Sequence, residues 1–116
     1  KLSTVFKINL RNLYDYEKVM RHYYASEDAA ENVYPSLLPQ WDRTARSGLN
    51  GIYINSTPKK FGKTIEVALD LIKHKQAEHK ILFLKSWNEW AEGNYVEPDL
   101  RFGTGFLDVL REKLTE

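Results

Sequence analysis

Two glutamates three residues apart, Glu89 and Glu92, lie in the densest run of charged and aromatic residues in the chain, Ser86-Trp87-Asn88-Glu89-Trp90-Ala91-Glu92-Gly93-Asn94-Tyr95-Val96-Glu97-Pro98-Asp99. A carboxylate pair flanking a sugar can divide the work of general acid and of general base or nucleophile. On one helical turn the two would share a face, with Cβ atoms about 5–6 Å apart. In an extended strand they would point to opposite faces. Trp87, Trp90 and Tyr95 add flat apolar faces with polar handles, suited to stacking on a sugar ring. Asn88 and Glu97 complete the candidate binding set in this run. The residue types alone leave a second reading open, with Trp87 in a core and Glu89, Glu92 and Glu97 on a solvated loop edge.

A second cluster, Gln40-Trp41-Asp42-Arg43-Thr44-Ala45-Arg46, carries similar chemistry. Trp41 could wall a ligand pocket, Asp42 could accept hydrogen bonds from hydroxyls, and Arg43 or Arg46 could fork onto a carboxylate or phosphate. The alternative is an Asp-Arg pair that ties a loop. His22, His74 and His79 are spaced for neither a zinc site nor a triad and are expected in solvent. Gly62-Lys63-Thr64 matches the tail of a phosphate-binding loop, but position 57 is Thr where the pattern needs Gly, so the match fails.

Both clusters follow apolar runs. Ile81-Leu82-Phe83-Leu84 is nearly unbroken and reads as a strand buried on both faces, as in a parallel sheet. Val33 to Leu38, broken by Pro35 and ended by Pro39, reads as a short irregular strand opening into a loop. Phe6, Ile8 and Leu10 suit an extended lead-in. Tyr16, Val19, Met20, Tyr23 and Tyr24 recur at helical spacing and predict one amphipathic helix from Tyr14 to about Ala30. Ser47 to Gly51 is turn chemistry, Ile52-Tyr53-Ile54 a brief extended piece, and Asn55 to Lys60 a second breaker cluster. Further helices are predicted from about Thr64 to His74 and from about Gly105 to Leu114, with residues 88–103 a long loop. The alternation indicates an α/β fold with parallel strands, about three of them with flanking helices. In such folds the carboxyl ends of strands carry the site, which is where both clusters fall.

The 116 residues are read as one segment and are fewer than half of the roughly 250 that a closed (β/α)8 barrel needs. Lys plus Arg number 17 against 16 Asp plus Glu, so no electrostatic case exists for a nucleic-acid or membrane-surface partner. With no cysteine, disulfides, thiolate metal sites and a cysteine nucleophile are excluded together. No membrane segment or signal peptide is visible in the sequence.

The two clusters together resemble the WbsX-type family of glycosyltransferases of polysaccharide biosynthesis, which is related to the family 99 glycoside hydrolases, the endo-α-mannosidases. The resemblance rests on residues 86–93, on Glu97-Pro98-Asp99 and Arg101-Phe102-Gly103 before a helix, and on Pro39 to Arg46, with Arg43 where the family more often has Asn. It extends from about Tyr14 to the C-terminus. It implies the C-terminal third of a (β/α)8 barrel, in which the strand near residues 33–38 would be the seventh and Ile81 to Leu84 the eighth. It also implies that Glu89 is the base acting on the sugar's own 2-hydroxyl, and that Glu92 is the acid on the leaving oxygen and then the base for the acceptor. Ala91 departs from the His common in the hydrolases, which leaves the acceptor, water or another sugar, open. The expected function is therefore retaining glycosyl transfer on an oligosaccharide or polysaccharide. An endo-α-mannosidase-like hydrolase and a non-catalytic carbohydrate-binding segment are the alternatives. No cofactor or metal is expected, and the cytoplasm is the expected compartment, with periplasmic or extracellular placement left open. The isolated chain is expected to be inert, lacking the barrel's other walls, and liable to self-association through exposed sheet edges.

Overall fold

Asp15 ends the first strand and starts the first helix. The structure, a computed structural model, describes residues 12–115, and the extended lead-in predicted near residues 5–10 lies outside them. Strand β1 is Leu13–Asp15, and the Asp15 carboxylate accepts the Lys18 N–H to cap helix α1, Tyr16–Met20. The single helix expected from Tyr14 to about Ala30 is therefore not formed. Tyr14 pairs across the sheet with Tyr53, and at Ala25 the backbone is extended again, its N–H held by the Asp28 carboxylate at 2.8 Å before a 3-10 turn over Ser26–Ala29. The tyrosine spacing still has a use. Tyr16 is fully buried and donates its hydroxyl to the Leu38 carbonyl at 2.7 Å, and Tyr24 donates to the Ser36 carbonyl at 2.6 Å. Burial pushes both phenols above the ordinary tyrosine range, because the phenolate would be desolvated.

The chain continues through β2, Ser36–Leu37; the single-turn α2, Thr44–Ser47; β3, Ile52–Ile54; and α3, Pro58–Ile72. Helix α3 was expected to begin near Thr64, after a breaker cluster. It begins at Pro58, because Thr57 caps it by accepting the Lys60 N–H and Pro58 occupies the first turn, where a missing N–H costs nothing. Then come β4, Phe83–Leu84; a hairpin of β5, Asn88–Glu89, and β6, Asn94–Tyr95; and α4, Gly105–Leu114, at the predicted bounds. The stretch expected as a long loop is thus partly ordered by the hairpin and by a further bridge between Asp99 and Gly103.

Strand β1 pairs in parallel with β3, Leu13 opposite Ile52, and β2 pairs in parallel with β4, Ser36 opposite Phe83. The described residues form a mixed α/β structure of small parallel pairs with helices packed on them. Helices α3 and α4 close over β2, burying Leu37, Phe61, Ile65, Ala68, Val96, Phe106 and Leu110, with the Phe61 and Phe106 rings 5.8 Å apart. Strand β4 departs from expectation: Phe83 is 58% exposed and Ile81 is exposed beside it. Among the described residues β4 has a partner on one edge only, so its apolar run is not buried on both faces. His79 is not simply solvated either, its Nδ1 lying 2.6 Å from the Tyr34 hydroxyl. Among the described residues no helix is long and apolar enough to cross a membrane.

Candidate functional site

Strands β2 and β4 run side by side in the same direction, so the segments leaving their carboxyl ends leave together. The Lys85 N–H donates to the Leu37 carbonyl at 2.9 Å, the last rung before the two chains separate. From β2 the chain passes through buried Leu38 and Pro39 to Gln40, Trp41 and Asp42; from β4 it passes through Ser86 into the hairpin. The two clusters then meet. The Asp42 N–H donates to the Glu92 carbonyl at 3.0 Å, and the Gln40 amide donates to the Tyr95 carbonyl at 2.9 Å. On the other side the Tyr53 N–H donates to the Trp41 carbonyl at 2.8 Å, which fixes this segment between β3 and the hairpin.

Gly93 makes this approach sterically feasible. Its φ is +54°, and a Cβ there would stand 2.2 Å from the Asp42 carbonyl oxygen. Only glycine fits a left-handed residue against a backbone that close. Glu89 flanks the turn Trp90–Glu92 on its N-terminal side and Glu92 ends it, so the two carboxylates border one 3-10 turn rather than an α-helical one. The Glu89 side chain is exposed. Glu92 is partly covered, and its Oε1 accepts from Arg46 Nη1 at 3.2 Å. Arg46 reaches it from α2, whose first turn is held by the Asp42 carboxylate, Oδ1 accepting the Thr44 N–H at 3.0 Å and the Thr44 hydroxyl as well. Asp42 therefore does tie a loop, through Thr44 rather than through Arg43, which instead donates to the Asn50 carbonyl at 3.0 Å.

The aromatic residues divide into a braced pair and a free face. Trp90 stacks on Tyr95 with ring centroids 3.6 Å apart and planes 13° apart. Trp90 Nε1 donates to Glu97 at 2.7 Å and the Tyr95 hydroxyl donates to Asp99 at 2.8 Å, so both rings are pinned at their polar ends. Burial, and then the Asp99 carboxylate that accepts its proton, push the Tyr95 phenol up to about 12. Trp90 remains 46% exposed and Trp87 53% exposed, while Asn88 is exposed in β5. Trp41 lies part-buried with Lys85 Nζ 5.4 Å from its ring centre.

Three residues absent from the sequence-based site hold this arrangement. Ser86 donates its hydroxyl to the Asn94 carbonyl at 2.6 Å and accepts the Glu89 N–H at 3.1 Å. Asn94 is fully buried, and its side-chain oxygen accepts the Ser86 N–H. Asp99 accepts the Phe102 N–H at 2.6 Å besides the Tyr95 hydroxyl. The Gly93-Asn94 pair is a turn signal that could have pointed to a hairpin here.

The chain is 36% identical over 88 residues to the uncharacterized protein WxcX of Xanthomonas campestris pv. campestris strain B100, and equally to WxcX of strain ATCC 33913. Each match covers 72% of this chain and 12% of the relative's length. No solved structure matches the chain. The family model for Glycosyltransferase WbsX matches residues 2–110, which include both strand-end clusters. The chain belongs to the WbsX glycosyltransferase family.

Proposed function

We propose that this chain is the site-bearing, C-terminal part of a retaining carbohydrate-active enzyme that acts on an oligosaccharide or polysaccharide, with transfer to a sugar hydroxyl favoured over hydrolysis. The observation that carries the reading is the meeting of the two clusters at Asp42 and Glu92, in a chain of a glycosyltransferase family. Glu89 takes the proton of the sugar's 2-hydroxyl as that oxygen attacks the anomeric carbon. Glu92 protonates the departing oxygen. Glu92 then removes the proton of the incoming hydroxyl, which opens the strained ring at the anomeric carbon while Glu89 returns its proton to the 2-oxygen. Two inversions give net retention, and no carboxylate nucleophile is needed. Arg46 on Oε1 fixes the position of the Glu92 carboxyl beside the second cluster. Trp87 and Trp90 supply the exposed faces on which sugar rings stack.

On this reading β2 and β4 are adjacent strands of a larger (β/α)8 barrel, and residues 1–116 are about its last third. The exposure of Ile81 and Phe83 supports it, because an unbroken apolar strand is built to be covered. A second reading, a carbohydrate-binding segment without catalysis, draws on the same exposed tryptophans. The test is Glu92→Gln in the full-length protein, assayed on an oligosaccharide whose leaving group is an ordinary sugar hydroxyl. Loss of 100-fold or more in turnover is expected on the scale of acid–base catalysis. Unchanged turnover would sink the acid role, and wild-type binding without any turnover would establish the second reading.

A further inference from the structure

We infer that Glu97 is a positioning residue for the substrate: by holding the Trp90 indole it locks a one-sided aromatic platform beside the glutamate pair, on which a single pyranose ring of the glycan lies. The inference rests on the glycan class of the proposed function. Trp90 opens the 3-10 turn Trp90–Glu92 and follows Glu89 directly, so the platform and the two carboxylates share one short turn.

Burial arranges the segment after that turn. Asn94 and Val96 are fully buried, while Tyr95 and Glu97, which alternate with them, are only part-buried. Alternation of this kind puts Tyr95 and Glu97 on one side of the chain, and Trp90 reaches both. Its ring stacks on Tyr95 with centroids 3.6 Å apart and planes 13° apart, and its Nε1 donates to Glu97 Oε2 at 2.7 Å. One face of the indole is thus covered and its polar edge is tied. The 46% of the residue that stays exposed therefore lies on the opposite face and the remaining edge. Tyr95 is fixed beneath it in turn, by its hydroxyl on Asp99 at 2.8 Å and by the Gln40 amide on its carbonyl at 2.9 Å.

Folding gains little from pinning a half-exposed ring. An exposed indole N–H finds water unaided, and a bond to a carboxylate costs both side chains rotamer freedom. The hairpin is already held by its Asn88–Tyr95 and Glu89–Asn94 pairs, by the Ser86 hydroxyl on the Asn94 carbonyl and by the Glu89 N–H on Ser86. What the brace supplies is preorganisation, a flat face whose ordering cost is met before a ligand arrives. Such a face takes the C–H side of a pyranose by apolar contact, with no particular pattern of hydroxyls required.

The test is calorimetric titration of the full-length protein with a mannose tetrasaccharide and a glucose tetrasaccharide. It compares the wild type with Glu97→Gln, Glu97→Ala, Trp90→Phe and the double variant Trp90→Phe/Glu97→Ala. Glu97 is not buried, so its variants are expected to fold. Glu97→Ala and Trp90→Phe should each weaken binding by about three- to tenfold. Glu97→Gln keeps an acceptor for Nε1 and should stay within about twofold of wild type. In the Trp90→Phe background no N–H is left to hold, so adding Glu97→Ala should change affinity by less than about twofold. A direct contact of Glu97 with sugar, or a purely structural role, would keep its full effect in that background. Unchanged affinity in Glu97→Ala or Trp90→Phe, an undiminished effect of Glu97→Ala in the Trp90→Phe background, or no saturable binding of either tetrasaccharide overturns the inference. Weakened binding in Glu97→Ala while Glu92→Gln leaves turnover intact would overturn the proposed acid role alone. Loss of turnover in Glu92→Gln with wild-type binding in Glu97→Ala would overturn this inference alone.

Discussion

Gly93 and Gly103 have the same φ of +54°, but one is pressed against backbone and the other meets nothing within 4 Å. Replacing each by alanine therefore separates two costs. Both variants place a Cβ in the left-handed region, at about 1 kcal/mol. Gly93→Ala must in addition move the Asp42 carbonyl from 2.2 Å to at least the 3.0 Å that a Cβ tolerates. That displacement pulls the Asp42 N–H away from the Glu92 carbonyl, a 3.0 Å bond whose net worth is about 1 kcal/mol, and leaves one or both groups short of a partner for a further ~1 kcal/mol. The expected losses are about 3 kcal/mol for Gly93→Ala and about 1 kcal/mol for Gly103→Ala, read from urea unfolding of the two variants of one protein. Turnover should fall with the first and not with the second, since only the first separates Asp42 from Glu92. Equal losses, within about 0.5 kcal/mol, would refute the close approach of the two clusters.

Arg46→Gln removes a largely exposed ion pair, so stability should change by less than about 1 kcal/mol. Turnover should nevertheless fall, and unchanged turnover would rule out a positioning role for Arg46. The Tyr95 phenol has a folded-state value of about 12 against an ordinary 10.0. The stability it contributes is complete below pH 10 and is lost as pH rises through about 12, because the unfolded chain gives up the proton first. The difference in unfolding free energy between wild type and Tyr95→Phe should be flat below pH 10 and decline above it; a difference that grows there would contradict the assignment. Phe61→Ala, at a fully buried position against Phe106, should cost about 3–5 kcal/mol in the same unfolding assay. A loss under about 1 kcal/mol would mean that α3 and α4 are not packed as described.

Helix α4 was legible because Phe106, Leu107, Val109, Leu110 and Leu114 mark one stripe with nothing to interrupt it. The first helix was misread for a physical reason. Asp15 could continue a helix or cap one, and pairing of Leu13 to Asp15 with Ile52 to Ile54, far along the chain, decides for the cap. Pro58 reads as a breaker by type, but its place after Thr57 makes it a first-turn residue. The site divides in the same way. The two clusters were visible as residue types after apolar runs. Their contact was not, because the need for glycine at position 93 is set by a carbonyl some fifty positions earlier, and Arg46 reads as a ligand-binding residue until Glu92 is seen beside it. Ser86 and Asn94 lie within the run but carry neither a charge nor an aromatic ring, and only the hairpin shows that they hold it together.

The two parallel pairs are interleaved along the chain. The crossover from β1 to β3 contains β2, and the crossover from β2 to β4 contains β3, so residues 38–51 belong to both. Each pair brings together residues about forty or more positions apart, so its closure entropy must be met before its contacts form. The hairpin at 88–95 closes locally and can form early, but it gains its partner at Asp42 only once both crossovers are in place. A single cut between residues 38 and 51 would open both loops at once. Neither pair can then serve as an independent folding unit, and assembly of the two clusters becomes the last cooperative step rather than a local one.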